Sequence, residues 1–328
     1  MAEATKKYHK HNRYDRGHTD RVTLTERDLD YLQFIFETGP VRSSIIHLYF
    51  STASGKHAKQ NTTRRLASLY HHPNCYLNKP EGQQEREGAN YVDLRFTLSG
   101  KGVKALLDNG RISEKHFEWY HRLHGRGISK PFWHDALGAD YLGSLRLGIK
   151  ADPTLHYLSK YEVLERAPES TQKAKNPLAI TLPDSGKLLV PDDIFGVSRT
   201  LTDGTTLYRY HPREDDAKSE PNRRVSSTGS SYYEKLPKYK EALESGALKQ
   251  HFGIKNAPVV IVTITLSNGK CTNMVKMVRK MDGPWRDHLA FISEPSFSRR
   301  ERPAPPDARI LLSPYKRAAA PDFYINAI

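Results

Sequence analysis

The run from Pro258 to Thr265, PVVIVTIT, carries no charge and is built almost wholly of β-branched residues. A strand with no polar face must be covered on both sides, which demands a layered α/β domain rather than a helical bundle or an open sandwich. Helices are available to cover it. HDALGADYLGSLRLGI spaces Leu137, Tyr141, Leu145 and Ile149 four apart, and helical patterns fit Tyr232 to Ser245 and about Lys270 to Met281. Asp203-Gly204 lies between alternating runs, LLVPDDIFGVSRT and TLYRYH, and predicts a hairpin. A further strand is expected at Thr154 to Leu158 with Glu162, followed by a Pro/Lys/Ser-rich loop. Residues 212 to 231 read as a polar loop, and those beyond 286 as a Pro/Arg-rich tail of low order.

The N-terminal third has a different texture. Residues 1 to 22 hold six Lys/Arg and three His with almost no aliphatic side chains, so a flexible basic arm is expected. Thr25 followed by Asp28 is a capping-box-like start, and Leu29, Leu32 and Phe36 recur at helical spacing until Gly39-Pro40. A second short helix fits Ser43 to Phe50, with Ser43 or Ser44 as cap. In a third, Leu66, Leu69 and Tyr70 share one face, which leaves Lys56, Lys59, Gln60, Asn61, Arg64 and Arg65 for the others. Two β-type runs follow, Cys75 to Asn78 and Tyr91 to Thr97, joined by the polar segment KPEGQQEREGAN; LSGKGVKALLDNG then reads as a turn and a short helix. This is the order of a winged helix-turn-helix, in which the third helix enters the major groove of DNA and the ribbon touches backbone. The expected boundaries are an arm at 1–22, a winged helix at 23–110, a connector at 111–132, an α/β domain at 133–285 and a tail at 286–328.

Charge agrees with a polyanionic partner. The 328 residues carry 51 Lys and Arg against 37 Asp and Glu, a formal charge of +14, and residues 1 to 130 hold 22 of these cations against 14 acids. Basic side chains that displace counterions from phosphates gain affinity independent of sequence. Gln60, Asn61, Arg64 and Arg65 suit base edges; Lys56, Lys59 and the ribbon tip suit phosphate. Two cysteines far apart exclude a disulfide framework and a cysteine zinc site. No P-loop or GxSxG motif occurs, His71-His72 and His9/His11 are read as surface histidines, and His134-Asp135 has no placed nucleophile. No apolar segment approaches a membrane span, so a cytoplasmic protein is expected.

The motif order resembles the replication-relaxation family of plasmid and mobile-element proteins, through LTERDLDYLQFI, RRLASLY and FTLSGKG in the first half and HDALGADYLGSLRL, LLVPDDIFGV, EDDAKSEP, YYEKLPKYKEAL and PVVIVTIT in the second, over about residues 24 to 282. The resemblance implies a second domain similar to a PD-(D/E)xK nuclease fold, in which carboxylates at adjacent strand ends hold magnesium or manganese and activate water. Pro191-Asp192-Asp193 supplies the aspartate signal. Glu214-x-Asp216-x-x-Ser219-Glu220-Pro221 resembles the second acidic motif, and Lys235 or Lys238 stands in for the lysine. The strand that should carry Glu-x-Lys reads Tyr208-Arg209-Tyr210, with Glu214 and Asp216 expected in the loop beyond, which leaves one ligand and points to an inactive nuclease-like domain. The leading expectation is thus a mixed α/β, double-stranded-DNA-binding homodimer associated with nucleoid or plasmid, acting in replication, mobilisation or transcriptional control and needing no cofactor. The alternative is a metal-dependent nuclease using Asp192, Asp193, Glu214, Asp216 and Lys235; a scaffold using neither site is a third.

Overall fold

The computed structural model describes residues 13–51, 56–83, 93–124, 132–217, 232–297 and 307–328. Most of the basic arm with His9 and His11, the ribbon tip, the Lys56 side chain and Ser219-Glu220-Pro221 lie outside the described residues. The chain is mixed α/β. Its first part runs α1 (Glu26–Thr38), β1 (Val41–Arg42), α2 (Ser43–Phe50), α3 (Lys56–Tyr70), β2 (Leu77–Asn78), β3 (Arg95–Leu98), α4 (Gly100–Asp108) and α5 (Glu114–His124). The second continues with α6 (Phe132–Ala151), β4 (Leu155–Leu158), α7 (Lys160–Glu165), α8 (Glu169–Lys173), β5 (Ile180–Thr181), β6 (Leu188–Leu189), β7 (Asp193–Thr200), β8 (Thr206–Asp216), α9 (Tyr232–Glu244), α10 (Ala247–His251), β9 (Ile261–Thr265), α11 (Asn268–Arg279), β10 (Leu289–Ser293) and α12 (Arg309–Leu312).

Thr25 caps α1 in a reciprocal capping box with Asp28, and Gly39 at φ 96° ends it. Arg42, not Ser43 or Ser44, is the N-cap of α2; both serines lie buried inside the helix. The strands β1, β3 and β2 form a small antiparallel sheet in that order. Its second strand is shorter than expected, because Cys75 adopts φ 54° and turns the chain before β2.

The larger sheet has the order β10-β9-β8-β7-β4. Neighbours β4, β7 and β8 are antiparallel, and β8, β9 and β10 are parallel. All five residues of β9 are buried, as PVVIVTIT requires, and alternate residues serve opposite faces: Ile261 joins the core with Leu236, Tyr239 and Met274, while Val262 and Ile264 join one with Tyr141 and Leu145. Helix α6 is buried nearly all round because it lies between the sheet and the N-terminal elements. Its Tyr141 and Leu145 meet the sheet core. Its Asp140 takes Arg42 of β1 and Arg95 of β3, and Arg146 pairs with Glu37 of α1 at 2.8 Å.

Three expectations are corrected. Glu162 belongs not to β4 but to α7, where it completes a capping box with Ser159. Residues 212–216 are not loop: β8 continues to Asp216, with Pro212 opposite Ile194 and Arg213 to Asp216 alongside β9. The chain beyond 286 is not a loose tail over its described residues, since β10 forms the sheet edge and Ile310, Leu311, Tyr315, Phe323 and Ile325 are buried in the core beside α6.

Candidate functional site

Helix α3 buries Thr62, Leu66, Leu69 and Tyr70, and this one-sided packing leaves Lys59, Gln60, Asn61, Thr63 and Arg64 exposed in sequence-adjacent turns. Lys59 reaches Asp93 at only 3.4 Å with its side chain about half exposed. Arg65 is the exception. Its Nε and a terminal nitrogen donate to both oxygens of Asp28 at 2.7 and 2.5 Å, tying α3 to the start of α1, so it leaves the set of base-reading candidates. Burial works against the Asp28 charge, but Arg65 and Thr25 together hold its carboxyl below the usual range.

A second cluster sits where β7 begins beside the end of β8. The Asp192 N–H donates to the Arg213 carbonyl at 3.0 Å, which sets the chain ahead of β7 against β8. Asp192 Oδ2 accepts from the Asp215 N–H at 2.9 Å and lies 3.1 Å from His134 Nε2 in the first turn of α6. Arg213 donates to Asp215 at 2.9 Å and approaches Asp193 at 3.5 Å. Gly138 makes this approach possible: a Cβ there would stand 2.3 Å from the Arg213 guanidinium and 2.6 Å from Asp215. Strand alternation sends the neighbouring acids to the other face. There Glu214 accepts from Lys235 and Tyr239 of α9 at 2.5 Å each, and Asp216 pairs with Lys270 of α11 at 2.5 Å.

The electrostatics follow from this packing. Burial pushes the Glu214 carboxyl up to about 7, against the opposing pull of Lys235. Burial acts to lower the His134 pKa, but the carboxylates of Asp135 and Asp192 overcome it and carry the ring up to about 10. A cleft of about 1100 Å³ opens over His134, Asp192, Asp193 and Asp215, with Asn78, Lys79, Tyr120, Trp133 and Lys160 among its walls.

The expected all-oxygen set of Asp192, Asp193, Glu214 and Asp216 does not converge on a hard cation such as magnesium. Asp193 accepts from the Ile194 N–H and faces Lys160 and Arg213, while Glu214 and Asp216 are directed to the other face and matched by lysines. The three groups whose ligand atoms lie within 4.8 Å of one another are His134, Asp192 and Asp215. Lys235 does meet Glu214 as expected; Lys238 instead donates to the Leu188 carbonyl. Tyr208-Arg209-Tyr210 occupies the opposite end of β8 from the acids, so it displaces nothing from the cluster. In sequence His134 figures only beside Asp135, as a pair without a nucleophile, and Asp215 only within the acidic run EDDAKSEP. The signals that join them are a histidine in the first turn of α6 and the period-two phase of β8.

No family model, characterised protein or solved structure matches the chain. Among the described residues no helix is long and apolar enough to cross a membrane.

Proposed function

We propose that the chain binds double-stranded DNA through a winged helix-turn-helix formed by α1 to β3, with α3 in the major groove. The observation that carries this reading is the exposed face of α3, where Lys59, Gln60, Asn61 and Arg64 stand clear of a buried apolar stripe. The order helix, strand, helix, helix, strand, strand and the sheet order β1-β3-β2 support it, as does the formal charge of +14. Asn61 and Gln60 offer amides for adenine and Arg64 a guanidinium for guanine, while Lys59 suits phosphate. On the motifs quoted above, the biological setting proposed is control of replication, mobilisation or transcription on a plasmid or other mobile element, by a homodimer that doubles the footprint of one helix. Anisotropy titration on duplex DNA tests the binding, with Arg64→Ala expected to lose roughly 1–3 kcal/mol if it reads a base. An unchanged affinity for that variant overturns the placement of α3.

A second reading, metal-dependent phosphodiester cleavage, is favoured by one specific observation: Glu214 and Asp215 lie at the end of a strand, with Asp192 accepting from the Asp215 N–H and Lys235 donating to Glu214. The same titration repeated with magnesium or manganese and read for nicking decides it, with Asp192→Ala as the control.

A further inference from the structure

His134, Asp192 and Asp215 come from three separate elements: the first turn of α6, the residue before β7 and the end of β8. We propose that these side chains form a site for a divalent transition-metal ion that accepts an imidazole nitrogen, of the manganese or zinc type, in preference to magnesium or calcium. The proposal goes beyond DNA binding by α3 and requires no cleavage.

The spacing supports it. Bonds of about 2.0–2.2 Å from an ion to nitrogen and oxygen place two of its ligands roughly 3–4 Å apart, so atoms within 4.8 Å of one another close around an ion with small side-chain shifts. The imidazole Nε2 and Asp192 lie 3.1 Å apart, and an ion seated among the three groups displaces the Nε2 proton to solvent and replaces that hydrogen bond with coordinate bonds. Asp193, Glu214 and Asp216 do not belong to the group that closes within 4.8 Å and each faces cations of its own, while Asp215 enters the group with Arg213 still beside it. That leaves two carboxylates and one nitrogen as the donor set. Magnesium demands near-octahedral oxygen and keeps its waters, whereas zinc takes imidazole readily and manganese, though it also favours oxygen, accepts an imidazole nitrogen beside carboxylates.

The surroundings orient the ligands. The Asp215 N–H fixes Asp192, Arg213 fixes Asp215, and the Arg213 guanidinium also donates to the Gly138 carbonyl of α6. A ligating histidine ordinarily donates its other ring N–H to a carboxylate. Here His134 Nδ1 is buried without a hydrogen-bond partner, and Asp135 Oδ1 stands 3.8 Å away, one small rotation from that role. The site opens onto the cleft of about 1100 Å³, so an ion held there has room for water or an anionic group beside it.

The test is manganese binding to the chelator-stripped full chain in the absence of DNA, followed by calorimetry and by electron paramagnetic resonance. The expected result is one saturable equivalent of manganese with ¹⁴N coupling from imidazole, not displaced by equimolar magnesium. His134→Gln should weaken binding at least tenfold and abolish the coupling, Asp215→Asn should weaken it similarly, and His156→Gln, outside the cleft, should leave it unchanged. No saturable equivalent, no nitrogen coupling, displacement by equimolar magnesium, or His134→Gln binding like the parent overturns the proposal. The nitrogen coupling of the parent decides even if a variant fails to fold. DNA binding measured separately in chelator keeps this outcome distinct from that of α3.

Discussion

Asp140 is 1% exposed and accepts hydrogen bonds from two guanidiniums, those of Arg42 and Arg95, across the junction between the small sheet and α6. Burial alone would raise its carboxyl, but Arg42 and Arg95 hold it below the usual range. Arg95 is likewise buried and also donates to the Pro40 carbonyl. Replacing Asp140 by Ala strands two buried cations at one point, and breaking such a group from one side costs about 3–5 kcal/mol. Against a total stability of roughly 5–15 kcal/mol that is a large fraction. At about 2–4 °C per kcal/mol the melting temperature should fall by roughly 6–20 °C. The triple replacement Arg42→Met, Asp140→Leu, Arg95→Met should recover most of the loss, since the charges leave together. Chemical and thermal denaturation of the three proteins measures it. A loss below about 1 kcal/mol for Asp140→Ala would refute the account of this junction.

Arg65→Ala should lower stability by about 1–2 kcal/mol, by removing the partner of buried Asp28, while leaving DNA affinity nearly unchanged; urea melts and anisotropy on the same variant separate the two effects. His211 is fully buried beside Phe195 and held at its Nδ1 by the Val260 carbonyl, and burial pushes its pKa down to about 3. The unfolded chain therefore takes up this proton first, so the contribution is complete above pH 6.5 and is lost as pH falls from there toward 3, by about 1.4 kcal/mol per unit. His211→Phe should remove that part of the slope in melts between pH 4 and 7, and an unaltered slope would contradict the assignment.

Much of the scaffold was legible because local and tertiary demands agree. The Thr25 capping box and the span of the Ser43–Phe50 helix read the same in sequence and in the fold, and the uncharged run at 258–265 supplies the buried strand over its last five residues, 261–265. The cluster did not, for one physical reason. The stretch Arg213 to Asp216 reads as a polar run after a proline, yet each side chain is neutralised by a residue distant in sequence or by its own strand neighbour. Lys235 and Lys270 arrive from α9 and α11, and Arg213 serves Asp215 directly. Buried charges become tolerable only when partners converge, and no local pattern announces that convergence. Arg65 shows the converse, since a basic residue on the helix proposed to meet DNA is committed to Asp28, 37 positions away. The end of the chain misled in the same way, because Pro and Arg conceal the apolar spacing of Ile310, Leu311, Tyr315 and Phe323 that closes the core beside α6.

The central claim, that the exposed face of α3 holds duplex DNA, is tested most directly by the salt dependence of affinity. Each phosphate contact contributes about −0.9 to the slope of log K against log salt. The full chain should show a steep negative slope in chelator, and the double replacement Lys59→Ala, Arg64→Ala should weaken binding through the lost base contact of Arg64 and flatten the slope by about 1 through the lost phosphate contact of Lys59. A parent slope near zero, or a double variant matching the parent in both slope and affinity, would contradict the account.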